Sequence, residues 1–318
     1  ISKAKPTLVD VYPIACVTKE RKGESLAEMA DLRAGGAIAF SDDGDPVFDS
    51  RIMRLALEYS SMYNMPIINH EEDLHLSRPG HMNEGLISTR LGLAGTPGIA
   101  EEVMIARDIL LAELTGGHVH VAHISTAKGV ELVRRAKKDG IKVTTEVCPH
   151  HFDLTDLEIE RTHFDTNYKM HPPLRTEEDR LAMIEGLRDG TIDAICTDHA
   201  PHSVEEKDVE FIYAPNGILG LETAWPVSCK RLFHEHNFEL SFLIEKFVDS
   251  PRNILNIPIP KIKEGSVANI TVFTTDDEWT FESKHIKSKS KNTPYVGYEM
   301  RGKALAVLNK GKIHINTF

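Results

Sequence analysis

Short apolar runs rich in β-branched residues alternate with amphipathic stretches along most of the chain, and this alternation constrains the fold more than any other feature. Six runs have the length and composition of buried parallel strands: residues 8–16, 37–40, 66–69, 119–123, 142–147 and 193–197. Amphipathic periodicity predicts the intervening helices over residues 25–34, 48–63, 99–115, 127–138 and 175–188. Strand–helix units repeated in this order favour a parallel sheet with right-handed crossovers.

Side chains of the kind that bind metals follow four of these strands. Asp43 comes after the second run, His70 after the third, His123 ends the fourth and Asp198 follows the sixth. Ligand-type residues delivered from the same end of successive strands are typical of an α/β fold of the (β/α)8 TIM-barrel type, whereas a doubly wound sheet concentrates its site at one switch point. Six of the eight strands that a barrel needs are visible.

The pattern changes near residue 258, where short strands punctuated by Gly and Pro replace the strand–helix units. We therefore predict a metal-dependent hydrolase barrel over residues 1–257. The remainder, residues 258–318, is predicted to be a small β-strand domain that completes a composite β-sandwich.

Charge and cysteine usage exclude several classes of partner. The net charge is −11, with 48 acidic against 37 basic residues, which argues against nucleic acid or an anionic membrane surface as a partner. No apolar run approaches the roughly 20 residues of a membrane span, and no secretory signal opens the chain. The cysteines lack Cys-x-x-Cys spacing, which indicates buried thiols in a reducing compartment, so we expect a cytoplasmic protein. They are Cys16, Cys148, Cys196 and Cys229.

Each candidate ligand taken alone also has a structural interpretation. "SDDG" (41–44) has the composition of a turn, "NHEED" (69–73) that of a helix start, and His123 could be a satisfied structural histidine. His118 and His120 share a strand face and could chelate a metal, although His123 is better placed for the mouth of a barrel. "TDHAPH" (197–202) is the most specific motif, because it puts two histidines and an aspartate directly after a buried strand.

Taken together, the carboxylates and imidazoles suit zinc or a similar divalent ion. Such an ion lowers the pKa of a bound water towards about 7, and a nearby carboxylate can then transfer the proton to a leaving nitrogen. Asp43, His70, His123 and Asp198 supply a set of this kind from four strands.

Longer motifs, in order over almost the entire chain, carry a resemblance to a known family. They include "AFSDDGDPV", "NHEED", "HVHVAHIST", "EVCPHHF", "PPLRTEEDR", "GTIDAICTDHAPH" and "NTPYVGYEMRGK". The chain resembles the type I dihydroorotases of the amidohydrolase superfamily. This resemblance implies reversible cyclisation of N-carbamoyl-L-aspartate to L-dihydroorotate in pyrimidine synthesis, with one or two Zn²⁺ ions.

The resemblance also implies roles for individual residues. It implies metal ligands at Asp43, His70, His123 and Asp198. Asp198 would in addition shuttle the proton of metal-bound hydroxide. Substrate contacts are implied for His202 and Gly217, and for His171, which stands where the family usually has Asn.

One departure concerns the N-terminus. The family opens its barrel with Asp-x-His-x-His-x-Arg, which does not occur ahead of the first predicted strand. We expect from this that the 318-residue chain is truncated, and that it is poorly soluble and inactive alone until the N-terminal segment is restored.

Partners and rival functions follow from the same resemblance. The expected partners are a small-molecule substrate, a second copy in a homodimer and aspartate carbamoyltransferase. A non-catalytic scaffold for aspartate carbamoyltransferase is one alternative. Dihydropyrimidinase and allantoinase are others, although they usually bridge their metals with a carboxylated lysine where this chain has "SDDG".

Overall fold

The computed structural model describes residues 8–316. Its strands are β1 (Ile14–Ala15), β2 (Ala39–Phe40), β3 (Ile67–Asn69), β4 (Met82–Asn83), β5 (Gly95–Thr96), β6 (Val119–Val121), β7 (Val143–Val147), β8 (Ala194–Ile195), β9 (Ile270–Thr280), β10 (Glu299–Asn309) and β11 (Lys312–Ile315).

The helices lie mostly between the strands of the first two thirds of the chain. They are α1 (Met29–Ala34), α2 (Ser50–Ser61), α3 (Leu74–Ser77), α4 (Leu86–Leu91), α5 (Ile99–Thr115), α6 (Ala127–Lys138), α7 (Pro149–Asp153), α8 (Leu157–Arg161), α9 (Glu177–Arg188), α10 (Val204–Lys207), α11 (Ala224–Ser228), α12 (Leu240–Phe247) and α13 (Asp249–Ile254). A π-helical segment, Cys229–Glu235, continues directly from α11.

Six strands form one parallel sheet in the order β1-β2-β3-β6-β7-β8. All six fall within the predicted runs, although the regular part of each is shorter than the run that predicted it. Because the strands are parallel, their carboxyl ends meet at one edge of the sheet, where the loops that follow them converge. The prediction of an α/β barrel architecture is confirmed by this curled sheet and its intervening helices.

Burial in the core explains why these strands are unbroken apolar runs in the sequence. Phe40, Ile67, Val119 and Val121 are all fully buried, as expected for strands covered on both faces. The strand β1 differs, because it is an edge strand and its Ile14 is 47% exposed.

Local signals set the main helix boundaries. The Asp49 carboxylate accepts hydrogen bonds from the backbone N–H groups of Arg51 and Ile52 and so caps α2. The Thr126 hydroxyl caps α6 in the same way. Gly116 adopts a left-handed conformation with φ of 68°, which ends α5 just before β6. None of the helices in the described part of the chain has the length and hydropathy to cross a membrane.

The C-terminal region contains an antiparallel sheet in the order β11-β10-β9. It contacts the rest of the chain through α11, where the Trp225 indole N–H donates to the Thr274 carbonyl at 3.1 Å. The domain boundary at residue 258 and the composite sandwich stay predictions.

Candidate metal and substrate site

Three of the predicted ligands share an unusual backbone conformation. Asp43, His123 and Asp198 have φ values of 28°, 32° and 44°, and each lies two or three residues beyond the end of a parallel strand. A residue with a side chain seldom adopts positive φ, and such a conformation costs about 1–3 kcal/mol. Strain of this kind concentrates at functional sites, so its occurrence after β2, β6 and β8 marks one edge of the sheet.

These three residues and His70 line the same cavity, which has a volume of about 380 Å³. The four predicted ligands are therefore brought together although they are separated by up to 155 positions in sequence, from Asp43 to Asp198. The wall also includes Ser41, His120, Glu146 and Cys196.

His70 and His123 form the closest pair in this set. Nδ1 of His70 lies 3.1 Å from Nε2 of His123, and the rings are nearly perpendicular. Both side chains are buried, with relative exposures of 4% and 7%. Nδ1 of His123 is buried and has no hydrogen-bond partner among residues 8–316. The two facing nitrogens are within hydrogen-bond distance of each other, and the remaining Nδ1 of His123 is a potential metal-ligating atom that no described residue uses.

Glu72 joins this group and was missed at the sequence level. Its Oε2 lies 3.0 Å from Nε2 of His171 and 3.6 Å from Nε2 of His70. One ligand atom from each of these three residues lies within 4.8 Å of the others. The spacing of His70 and Glu72 in the sequence could have indicated this contact, because residues two apart in an extended segment project to the same side.

Electrostatics in the cluster favour neutral imidazole beside ionised carboxylate. Burial lowers the pKa of His70 to about 3. Burial acts in the opposite sense on Glu72, but hydrogen bonds from His171 and His70 prevail and hold the pKa of its carboxyl below the usual range. Both groups are thus in the protonation state that a cation requires of its ligands.

The pKa of the Asp198 carboxyl is shifted in the direction opposite to that of Glu72. Burial raises the pKa of its carboxyl; the charge of His123 opposes the rise, and the neighbouring carboxylates of Asp43 and Glu146 reinforce it. A carboxyl with a raised pKa is a better proton acceptor than an ordinary aspartate.

The predicted substrate-contacting residues lie in two places. His171 stacks on His70 with ring centroids 4.7 Å apart, so it belongs to the cluster just described. His202 and Gly217 lie together outside the residues that line the 380 Å³ cavity. Nε2 of His202 is 2.8 Å from the Asn216 carbonyl oxygen, and Gly217 has φ of 101°.

Asn292 fixes this second group and was not recognised from the sequence as a site residue. Its amide donates to the carbonyl oxygens of Ala200 and Gly217, and its Oδ1 accepts from the His202 backbone N–H. It lies in the "NTPYVGYEMRGK" motif that contributes to the family resemblance.

His118 and His120, the alternative chelating pair, form hydrogen bonds to another side chain instead. Nε2 of His118 and Nδ1 of His120 both lie 2.8 Å from the Thr144 hydroxyl. His120 also places Nε2 3.5 Å from the Glu146 carboxylate. Neighbouring groups therefore satisfy this pair without a metal.

Solved structures with the same architecture define the class of fold. An L-hydantoinase (dihydropyrimidinase) from Arthrobacter aurescens superposes with a TM-score of 0.81 at 23% identity, over 91% of this chain and 68% of that one. A D-hydantoinase superposes with a TM-score of 0.80 at 21% identity, over 98% of this chain and 70% of that one. At such identities the likeness establishes the fold alone, which is the TIM barrel of the amidohydrolases.

Sequence comparison is more specific. Residues 3–129 match the family model described as dihydro-orotase-like. The dihydroorotase of Syntrophus aciditrophicus is 51% identical over 305 residues, which is 96% of this chain and 71% of the relative. That of Acetivibrio thermocellus is 48% identical over 314 residues, 98% of this chain and 73% of the relative. The chain therefore belongs to the dihydroorotase family, and the predicted function class, a hydrolase of the amidohydrolase superfamily, is confirmed.

Proposed function

We propose that Asp43, His70, His123 and Asp198 hold zinc, as one or two ions, and that this site interconverts N-carbamoyl-L-aspartate and L-dihydroorotate. The observation that carries the proposal is the convergence of all four side chains on one cavity, three of them from left-handed backbone positions. Strained backbone at three separate strand ends is retained when it places side chains for a function.

The donor set fits a zinc ion. Nδ1 of buried His123 has no hydrogen-bond partner in the described part of the chain, and Nδ1 of His70 and Nε2 of His123 are close enough, at 3.1 Å, to turn from each other to a shared ion. Imidazole nitrogen and carboxylate oxygen are donors that zinc accepts. Glu72 supports the cluster from outside, because a carboxylate beside a ligating histidine orients the ring and raises its basicity.

A zinc ion at this position would supply Lewis acidity, lowering the pKa of water towards about 7 and polarising the substrate carbonyl. The protein then has to move one proton. In ring opening, Asp198 accepts the proton of the attacking water and delivers it to the departing ring nitrogen. In ring closure, Asp198 takes the proton from the carbamoyl nitrogen and returns it to the hydroxyl that leaves.

Recognition of the substrate is assigned to the second group of residues. His202, with the turn at Asn216–Gly217, offers an imidazole and backbone groups to the substrate carboxylate. His171 is placed to contact the substrate from the other side, since it stacks on the ligand His70.

Metal content tests the ligand assignment. Expressed with the N-terminal segment that the family resemblance implies, the protein should bind zinc, and His70→Ala and His123→Ala should each lower the stoichiometry measured by elemental analysis. His314→Ala, which removes an exposed histidine from β11, is the matched control and should leave the stoichiometry unchanged. Equal zinc content in the wild type and both ligand variants would refute the assignment.

Substrate binding tests the second group separately. His202→Ala should weaken binding of dihydroorotate to the zinc-loaded protein by roughly 10- to 100-fold, the cost of losing one hydrogen bond to a charged group. Zinc content should stay at the wild-type value. Loss of zinc in this variant would instead make His202 a ligand, and tighter binding of hydantoin or allantoin than of dihydroorotate would refute the choice of substrate.

We further propose that the protein acts in the cytoplasm as a homodimer and associates with aspartate carbamoyltransferase. The four cysteines are free thiols, which supports a reducing compartment. Exposed apolar side chains on Val11, Tyr12 and Ile14 support contact with another polypeptide. Sedimentation of the protein alone and with aspartate carbamoyltransferase tests both associations, and a monomer in both runs would refute them.

A further inference from the structure

Two thiols lie in contact at the end of the sheet. Cys148 directly follows β7 and Cys196 directly follows β8. The strands are hydrogen-bonded neighbours, and the pairing of Val147 with Ile195 puts the next residue of each strand side by side. As a result the two sulfur atoms are 3.2 Å apart, and both cysteines are free thiols.

Two imidazoles accompany this pair. The helix α7 begins immediately after Cys148 and carries His150 and His151, each only 4% exposed. One ligand atom from each of Cys148, His150 and His151 lies within 4.8 Å of the others. Cys148, His150 and His151 therefore form a buried cluster, and the half-buried Cys196 adds a second sulfur 3.2 Å from that of Cys148.

The hydrogen bonding of His151 identifies its free nitrogen. Nε2 lies 3.0 Å from the Pro172 carbonyl oxygen, which can only accept, so Nε2 carries the proton. Nδ1 then holds a lone pair, and it is buried with no hydrogen-bond partner in the described part of the chain. A histidine that donates one ring N–H to a backbone carbonyl and leaves the other nitrogen unprotonated has the arrangement found in metal-ligating histidines.

The distances suit a tetrahedral ion. With metal–sulfur bonds of about 2.3 Å, two sulfur ligands of zinc lie roughly 3.8 Å apart. The sulfurs of Cys148 and Cys196 are 3.2 Å apart, somewhat less than that value, and the donor atoms of Cys148, His150 and His151 lie within 4.8 Å of one another. A small rotation of the two cysteine side chains separates the sulfurs to the spacing of zinc ligands.

We propose that Cys148, Cys196, His150 and His151 form a second cation site, which takes a thiophilic ion such as zinc or cadmium. Its sulfur donors separate it chemically from the oxygen and nitrogen ligands of the first site. Binding breaks two S–H bonds, forms two metal–sulfur bonds and releases two protons to solvent. Cys196 lines the 380 Å³ cavity beside Asp198, so an ion reaches the cluster through that cavity.

Cadmium titration of the full, reduced chain tests the site, because cadmium–thiolate bonds have an ultraviolet charge-transfer absorption. The absorption should rise and saturate in the wild type. Cys148→Ala and Cys196→Ala should each lower its amplitude at least twofold. Cys229→Ala, which removes another buried thiol, is the matched control and should retain the full amplitude. His123→Ala should retain it too, which separates this site from the first.

Absence of the absorption in the wild type, or equal amplitude in the wild type and Cys148→Ala, would overturn the proposal. X-ray absorption at the cadmium edge gives the same test on unaltered protein and does not depend on the variants folding. A shell of two sulfur atoms supports the site, and a shell of only oxygen and nitrogen overturns it.

Discussion

Two pairs of histidines lie close to the same parallel strands, yet their surroundings differ. His70 and His123 face each other at 3.1 Å, with a buried ring nitrogen left unsatisfied and a left-handed backbone at His123. His118 and His120 share the Thr144 hydroxyl and have ordinary backbone angles. The comparison teaches that a ligand histidine is identified by a buried ring nitrogen without a protein hydrogen-bond partner. The number of histidines in its motif is a weaker guide.

The largest expected effect separates the two pairs directly. His123→Ala should weaken zinc binding by at least about 100-fold, because removing a ligand costs no less than the 10- to 100-fold typical of its outer partners. His118→Ala should leave the affinity within about threefold, since its ring bonds a hydroxyl instead. Competition with a chelating dye measures the zinc affinity of both variants. An equal loss of affinity in the two would show that the two histidine pairs do not differ as metal ligands.

The next effect falls on stability. Thr144→Val removes the hydroxyl that His118 and His120 share while keeping the shape of the side chain. Leaving two ring nitrogens unpaired should lower the free energy of unfolding by roughly 1–3 kcal/mol. Chemical denaturation measures the loss. Zinc affinity should not change, and a parallel loss of zinc would place His120 among the ligands.

A smaller effect is expected from the carboxylate beside His70. Glu72→Gln should weaken zinc binding about tenfold by removing the charge that orients His70 and His171. Glu102→Gln, which removes a carboxylate whose ion pair within residues 8–316 is with Lys128, provides the control. Unchanged affinity in Glu72→Gln would show that Glu72 serves His171 alone.

The smallest effect concerns acid stability. Burial, with the charges of His120, Lys142 and Lys137, lowers the pKa of His118 to about 4. The unfolded chain therefore binds this proton more readily than the folded chain between pH of about 6.5 and 4, so stability should fall as pH falls through that window and stay level above it. His118→Asn should flatten this part of the pH profile of the denaturation midpoint. A profile identical to that of the wild type would show that His118 does not contribute to the loss of stability at acid pH.

Much of the barrel was predictable because its signals are local. The six parallel strands coincide with apolar runs, and α5 and α6 have the bounds that their periodicity predicts, 99–115 and 127–138. The short pair β4 and β5 was missed, since two-residue strands carry no periodic pattern. The π-helical segment after α11 was missed for a similar reason.

The site was predictable only in part. Asp43, His70, His123 and Asp198 stand at strand ends, so the topology alone suggested that they meet. The contact of Glu72 with His171 spans 99 positions, and that of Cys148 with Cys196 spans 48. Contacts of that range depend on how the loops fold back over the sheet, which no local pattern encodes.

The left-handed residues at Asp43, His123 and Asp198 also bear on how a sequence of this kind would diverge. Glycine would be more stable at each of these positions, because it has no Cβ and adopts positive φ at lower cost. A lineage released from its activity would gain stability through such replacements, so they should be among the first changes to accumulate. Retention of aspartate and histidine at all three positions would then indicate continued selection on the site.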